Sequence, residues 1–148
     1  MAEHSYSLAI STLLLTPPTL NRNKAVSMAL IHDIQETIIG DFTPSDNILP
    51  ETKKQLEMQA ATRISQQLDC PEMLKLFMEY EQSSSPESCI VKDLDRLDAV
   101  LLASYYEKHH RTNQSLLPEF LAYAQKQYIG NYNCNTVATI YNELKKEI

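Results

Sequence analysis

Glycine is almost missing from this chain: 148 residues contain two, Gly40 and Gly130. With so few positions free to adopt a left-handed backbone, and with Ala, Leu, Gln, Glu and Lys abundant, an all-α fold is favoured over a turn-rich β architecture. Basic charge is short as well. Thirteen Lys and Arg stand against nineteen Asp and Glu, for a net charge of −6, and no stretch gathers the cations that a nucleic-acid polymer requires. Cysteine is sparse: Cys70, Cys89 and Cys134 lie far apart with no CxxC pair. That spacing fits free thiols in a reducing, cytoplasmic setting better than a disulfide framework or a zinc knuckle. Long apolar runs are absent too. The segment "AISTLLLT" is too short to cross a bilayer and lacks the charged entry and cleavage site of a signal peptide, so no membrane partner is expected.

What remains is helix punctuated by proline. "TPPT" at Thr16 to Thr19 breaks any helix, while Pro50, Pro71 and Pro86 stand where a first helical turn tolerates a missing N–H. Each glycine follows a helical pattern and reads as a stop. The pattern predicts seven helices, over 2–15, 23–39, 50–68, 71–82, 86–110, 116–129 and 135–147, in a single domain covering residues 1–148. Asn21 or Asn23, Asp69 and Ser85 are the expected N-caps. No stretch alternates apolar and polar residues as a strand would, and no internal repeat is visible.

The second predicted helix poses the chemical question. In "ALIHDIQETIIGD" the residues Ala25, Met28, Ala29, His32, Glu36 and Ile39 share a face by helical spacing, which puts His32 and Glu36 on an apolar stripe. Leu30, Ile31, Ile34 and Ile38 make the rest of the helix greasy, so it should be central, and His32 and Asp33 should need a compensating partner. A divalent cation would serve, since imidazole and carboxylate are both good ligands for first-row metals. A lone His-Asp pair is more often a hydrogen-bonded core histidine beside a local cap. Further ligands would have to come from His4, or from "VKDLDRLDAVLLA" in the fifth predicted helix. There Asp95 borders the buried side, Asp93 falls on a more solvated flank, and Asp98 is held in reserve; a charged face with pairing among Lys92, Asp93 and Arg96 is the plain alternative. His109 and His110, at the end of that helix, should face solvent.

Four motifs in order, "AEHSYSLA", "ALIHDIQETIIGDFTP", "EYEQSSSPES" and "VKDLDRLDA", resemble the HD-domain 5'-deoxynucleotidases, from residue 2 to about residue 107. The resemblance implies an all-α HD-domain bundle of about six to seven helices. It also implies one catalytic divalent metal ion (cobalt, manganese, magnesium, zinc or iron), held by His4, His32, Asp33 and Asp95. Family members remove phosphate from deoxyribonucleoside 5'-monophosphates, with the metal polarising a phosphoryl oxygen and acidifying a water. By the same resemblance Glu36 is the acid/base or positioning group and Asp41, in "GD", acts at the leaving sugar oxygen. Glu79 or Glu81 matches an acidic residue near the site, and the family is commonly a homodimer.

The family also carries a helix ahead of "AEHS" whose arginine and aromatic residue contact the nucleotide, whereas this sequence starts at Met1. A nucleotide pocket short of one wall is therefore expected. Two alternatives stand beside the monophosphatase: another HD phosphohydrolase acting on a cyclic nucleotide or a nucleoside triphosphate, and a non-catalytic helical module that dimerises or binds nucleotide.

Overall fold

The computed structural model describes residues 2–42 and 46–110, together with 118, 122, 139, 140, 142, 143 and 146. Six helices run in chain order: α1 (Ala2–Leu15), α2 (Arg22–Ile31), α3 (Glu36–Ile39), α4 (Pro50–Gln67), α5 (Pro71–Gln82) and α6 (Pro86–His110). No strand occurs among the described residues, so the all-α expectation holds. Only isolated residues of the expected helices over 116–129 and 135–147 are described, and the Gly130 stop lies outside the described residues.

Pro50, Pro71 and Pro86 each open a helix, where the ring's fixed φ suits the first turn and its missing N–H costs nothing. The Asn21 side chain accepts from Lys24 N and caps α2. At α6, Ser85 Oγ accepts from Ser88 N while Ser88 Oγ accepts from Ser85 N, a reciprocal cap built from two serines. Asp69 is not a cap: Cys70 holds that position in α5, and Asp69 takes a left-handed φ of 49° in the turn after α4.

The core joins four helices. Leu8 and Ala9 of α1, Ala25, Met28 and Ala29 of α2, Tyr80 of α5, and Ile90, Val91, Leu94, Leu97 and Val100 of α6 pack together. Burying side chains such as Leu8, Met28 and Leu94 contributes about 1.5–3 kcal/mol each. As expected, α2 and α6 are central, with α1 laid across both.

The helix expected over 23–39 is in fact two. It stops at Ile31, passes through a turn at 32–35, and resumes as α3. Here the backbone tightens to i→i−3 bonds: Ile34 N to Ile31 O, Glu36 N to Asp33 O and Thr37 N to Ile34 O. Beyond the break the apolar side chains no longer face the core. Ile38 is 42% exposed and, before it, Leu30 is 53% exposed, so the segment is not greasy because it is buried on all sides. Gly40, at φ 74°, then closes α3 as a stop that a side chain would strain.

Candidate metal centre and substrate cavity

The turn at 32–35 faces the start of α1 and the middle of α6. His32 is buried, and its Nδ1–H donates to the Ala29 carbonyl at 2.9 Å. That bond assigns the proton to Nδ1 and leaves the Nε2 lone pair pointing inward. Among the described residues the buried Nε2 has no hydrogen-bond partner, although Asp33 Oδ2 lies 2.9 Å away. His4 is tied in the same manner. Its Nδ1–H donates to Asp98 Oδ2 at 2.7 Å, and Asp98 is fixed in turn by the Ser7 hydroxyl. The two rings meet edge to face, with centroids 5.2 Å apart.

Asp33 and Asp95 close the group. His4 Nε2 hydrogen-bonds Asp95 Oδ1 at 3.0 Å and is 4.0 Å from Asp33 Oδ2, while His32 Nε2 is 3.8 Å from Asp95 Oδ1. The Tyr80 hydroxyl donates to the other Asp95 oxygen at 3.1 Å, and burial pushes the tyrosine's own pKa well above its usual value. Asp95 and then Asp98 raise the His4 pKa to about 10. At His32 burial opposes the charged form, but the Asp33 and Asp95 carboxylates outweigh it and raise the pKa. Asp95 feels burial in the opposite sense, and His4 and His32 outweigh it to hold its pKa low.

Two imidazoles with their outer nitrogens tied and their inner nitrogens facing two carboxylates form a donor set suited to a first-row divalent cation. The ligand atoms of His4, His32 and Asp33 lie within 4.8 Å of one another. The orphaned Nε2 of His32 is the deciding observation, because a buried ring nitrogen without a partner is costly unless something accepts its lone pair.

A family model described as HD domain matches residues 1–132. The chain belongs to the HD domain family. It is similar to the 5'-deoxynucleotidase HDDC2 of Homo sapiens, 33% identical over 151 residues, covering 99% of this chain and 71% of that protein. It is also 34% identical over 123 residues to the 5'-deoxynucleotidase hdd1 of Schizosaccharomyces pombe, covering 78% of this chain and 62% of that one. The chain thus spans less than two thirds of the second relative's length. A conserved hypothetical protein from Pyrococcus furiosus shares the fold, with a TM-score of 0.77 and 31% identity over 98% of this chain and 82% of that chain.

Beside His4, His32, Asp33 and Asp95 opens a cavity of about 480 Å³, lined in part by Asp33, Glu36 and Asp95. Burial, then repulsion from Asp33 and Asp41, lifts the Glu36 carboxyl to a pKa of about 7. Asp41 itself stands apart. It is exposed beyond Gly40 and is not part of the cavity lining. Of the two glutamates in "EYE", Glu81 lines the cavity, while Glu79 turns away to an ion pair with Lys24.

The expectation for Asp93 is overturned: it is buried, at 2% exposure, because Arg96 one turn on pairs with it at 3.3 Å and replaces solvent. Asp98, held in reserve, is buried as well and orients His4. Tyr80 and Ser7 escaped sequence reasoning; Ser7 stands one turn after His4, and that spacing was the available signal. His109 is exposed as expected, its Nδ1–H donating to the Tyr105 carbonyl. The His110 side chain lies outside the described residues.

Proposed function

We propose that this chain is a divalent-metal-dependent phosphomonoesterase that converts deoxyribonucleoside 5'-monophosphates to deoxynucleoside and phosphate. The observation that carries the reading is the pair of histidines tied through Nδ1, whose Nε2 atoms lie beside Asp33 and Asp95, two carboxylates that also line a cavity. Two similar proteins are 5'-deoxynucleotidases by name, which supports the choice of substrate.

His4, His32, Asp33 and Asp95 would hold the cation. When bound, it would supply Lewis acidity toward a phosphoryl oxygen and toward water. The protein does the rest. Ala29 and Asp98 hold the two imidazoles in the ligating tautomer, and Tyr80 fixes the Asp95 carboxylate by one of its oxygens. Glu36, on the cavity wall, is placed to hold or move a proton at its carboxyl oxygen, between water and the leaving 5'-oxygen. Asp41 lies outside the cavity lining and is kept as the group for the leaving sugar oxygen on the resemblance alone, while Glu81 lines the cavity.

Residues 1–148 are taken as one domain. A homodimer is supported by the exposed Leu101, Leu102, Tyr105 and Tyr106 of α6. No helix among the described residues is long and apolar enough to cross a membrane; with free Cys70 and Cys89 this supports a cytoplasmic enzyme.

The test is phosphate release from metal-reconstituted protein over deoxynucleoside mono- and triphosphates, ribonucleotides and cyclic nucleotides. Release from the deoxynucleoside 5'-monophosphates above all others is expected. Turnover confined to triphosphates or cyclic nucleotides, or none with metal bound, would overturn the reading.

A further inference from the structure

The cavity is an unusual place for a dianion. Five carboxylates line it, those of Asp33, Glu36, Glu57, Glu81 and Asp95, and a divalent cation would offset only two negative charges. The basic groups in the lining are not equivalent. Arg96 is committed to buried Asp93 and Lys53 to Glu57, at 3.3 and 3.6 Å. Lys54 is exposed and solvated, so it requires no partner. Lys92 differs from all three. It is half-buried, and among the described residues no carboxylate lies within ion-pair distance of its Nζ.

Two neutral contacts fix that ammonium. It donates to the Glu81 carbonyl at 2.9 Å, at the end of α5, and it sits over the Tyr80 ring, 4.9 Å from the centroid. The hydroxyl of the same ring bonds Asp95, so one tyrosine side chain separates the ammonium from the ligand cluster. An ammonium has three donors, and the carbonyl and the ring face occupy two directions. A half-buried cation without a counter-ion carries a desolvation cost that a bound anion would remove.

We infer that Lys92 is the anion anchor of the cavity, receiving the non-bridging oxygens of the substrate's phosphoryl group on the side opposite the metal ligands. The inference rests on the phosphomonoesterase reading for the identity of the substrate, but the anchor itself answers to phosphate alone. Lys92 would also grip the charge that spreads onto the equatorial oxygens during transfer, and so act on rate as well as on binding.

The experiment uses the full, metal-loaded chain and compares the parent with Lys92→Met and Lys92→Arg. For the parent and each variant, kcat and KM on a deoxynucleoside 5'-monophosphate, the inhibition constant of inorganic phosphate, metal content and thermal midpoint are measured. Lys92→Met should lose on the order of 100-fold in kcat/KM and weaken phosphate inhibition at least tenfold, with metal content unchanged. Lys92→Arg should restore phosphate inhibition to a large extent. A role limited to capping α5 would lower the thermal midpoint and leave phosphate inhibition alone, which would overturn the inference. Should Lys92→Met fail to fold, Lys92→Gln keeps a donor for the Glu81 carbonyl and is judged by the same criteria. If the loaded parent hydrolyses no deoxynucleotide, the phosphomonoesterase reading fails by itself. Calorimetry with inorganic phosphate then decides the anchor: tighter binding to the parent than to Lys92→Met supports it, and equal or undetectable binding to both overturns it.

Discussion

Replacing Asp98 by Asn changes one oxygen to an amide nitrogen, yet it should cost most of the metal affinity. Asp98 is 6% exposed and serves two donors, the Nδ1–H of His4 at 2.7 Å and the Ser7 hydroxyl. An asparagine offers one carbonyl oxygen. If that oxygen stays with Ser7, the amide NH2 faces His4 Nδ1 and forces the imidazole proton onto Nε2, the atom proposed to bind the cation. If it turns to His4, the ring keeps its tautomer but loses the negative charge that makes Nε2 a strong donor. Either arrangement weakens one of the four proposed protein ligands. Loss of such an orienting partner typically costs about 10- to 100-fold in metal affinity, equivalent to about 1.4–2.8 kcal/mol. The assay is competition for Co2+ or Mn2+ against a fluorescent chelator, on protein whose helicity and thermal midpoint show it to be folded. Ser7→Ala is the control, because it removes the other bond to Asp98 and spares the tie to His4. Folded Asp98→Asn that binds metal within twofold of the parent would refute the argument that the carboxylate sets the tautomer of His4.

Asp33→Ala and Asp95→Ala should each abolish metal retention and phosphatase activity together, read as metal content by plasma emission and as phosphate release. Glu36→Ala should keep the metal and lose about two to four orders of magnitude in kcat; full activity with metal bound would remove it from the mechanism. At the other end of α2, Glu87 accepts from the Asn21 N–H and pairs with Lys24. Burial pushes its pKa up, but the Asn21 N–H and Lys24 prevail and hold it below the usual 4.5. Because the folded pKa is depressed, this stabilisation is present above the unfolded pKa and is lost as the pH falls through the folded one. Glu87→Gln should therefore cost about 1 kcal/mol in urea denaturation at pH 7, and the difference from the parent should shrink toward pH 3. An equal gap at both pH values would assign the effect to something other than charge.

Much of this architecture was legible in the chain. The three helix-opening prolines, the Gly40 stop and the Asn21 and Ser85 caps act within a few residues, so local sequence determines them. The bringing together of His4, His32, Asp33 and Asp95 was expected from their motifs and the resemblance. Facts that depend on a partner from another turn or another helix were harder. Asp93 looks solvated by position and is buried because Arg96 folds onto it. Asp98 looked like one more acid on a helix until His4, from α1, was brought against it. The setting of Lys92, with no carboxylate at ion-pair distance among the described residues, is harder still to foresee, since it depends on how α5 and α6 pack.

The break between α2 and α3 ties these readings together. Helical periodicity predicted a continuous helix over 23–39, and no glycine or proline in "HDIQE" argues against it. Neighbouring residues of an α-helix stand about 100° apart and i→i−3 bonding widens the step to about 120°, so His32 and Asp33 approach each other through the reach of their side chains. Across the tightened turn Asp33 Oδ2 lies 2.9 Å from His32 Nε2, and Glu36 lines the cavity. The tightened turn gives up regular helical bonds and leaves Ile38 in solvent, a local loss of stability offset by the packing of α1, α2 and α6 beneath it. Sequence periodicity reports where a chain follows the rule of its secondary structure, and it fails here at the turn that brings the proposed ligands together.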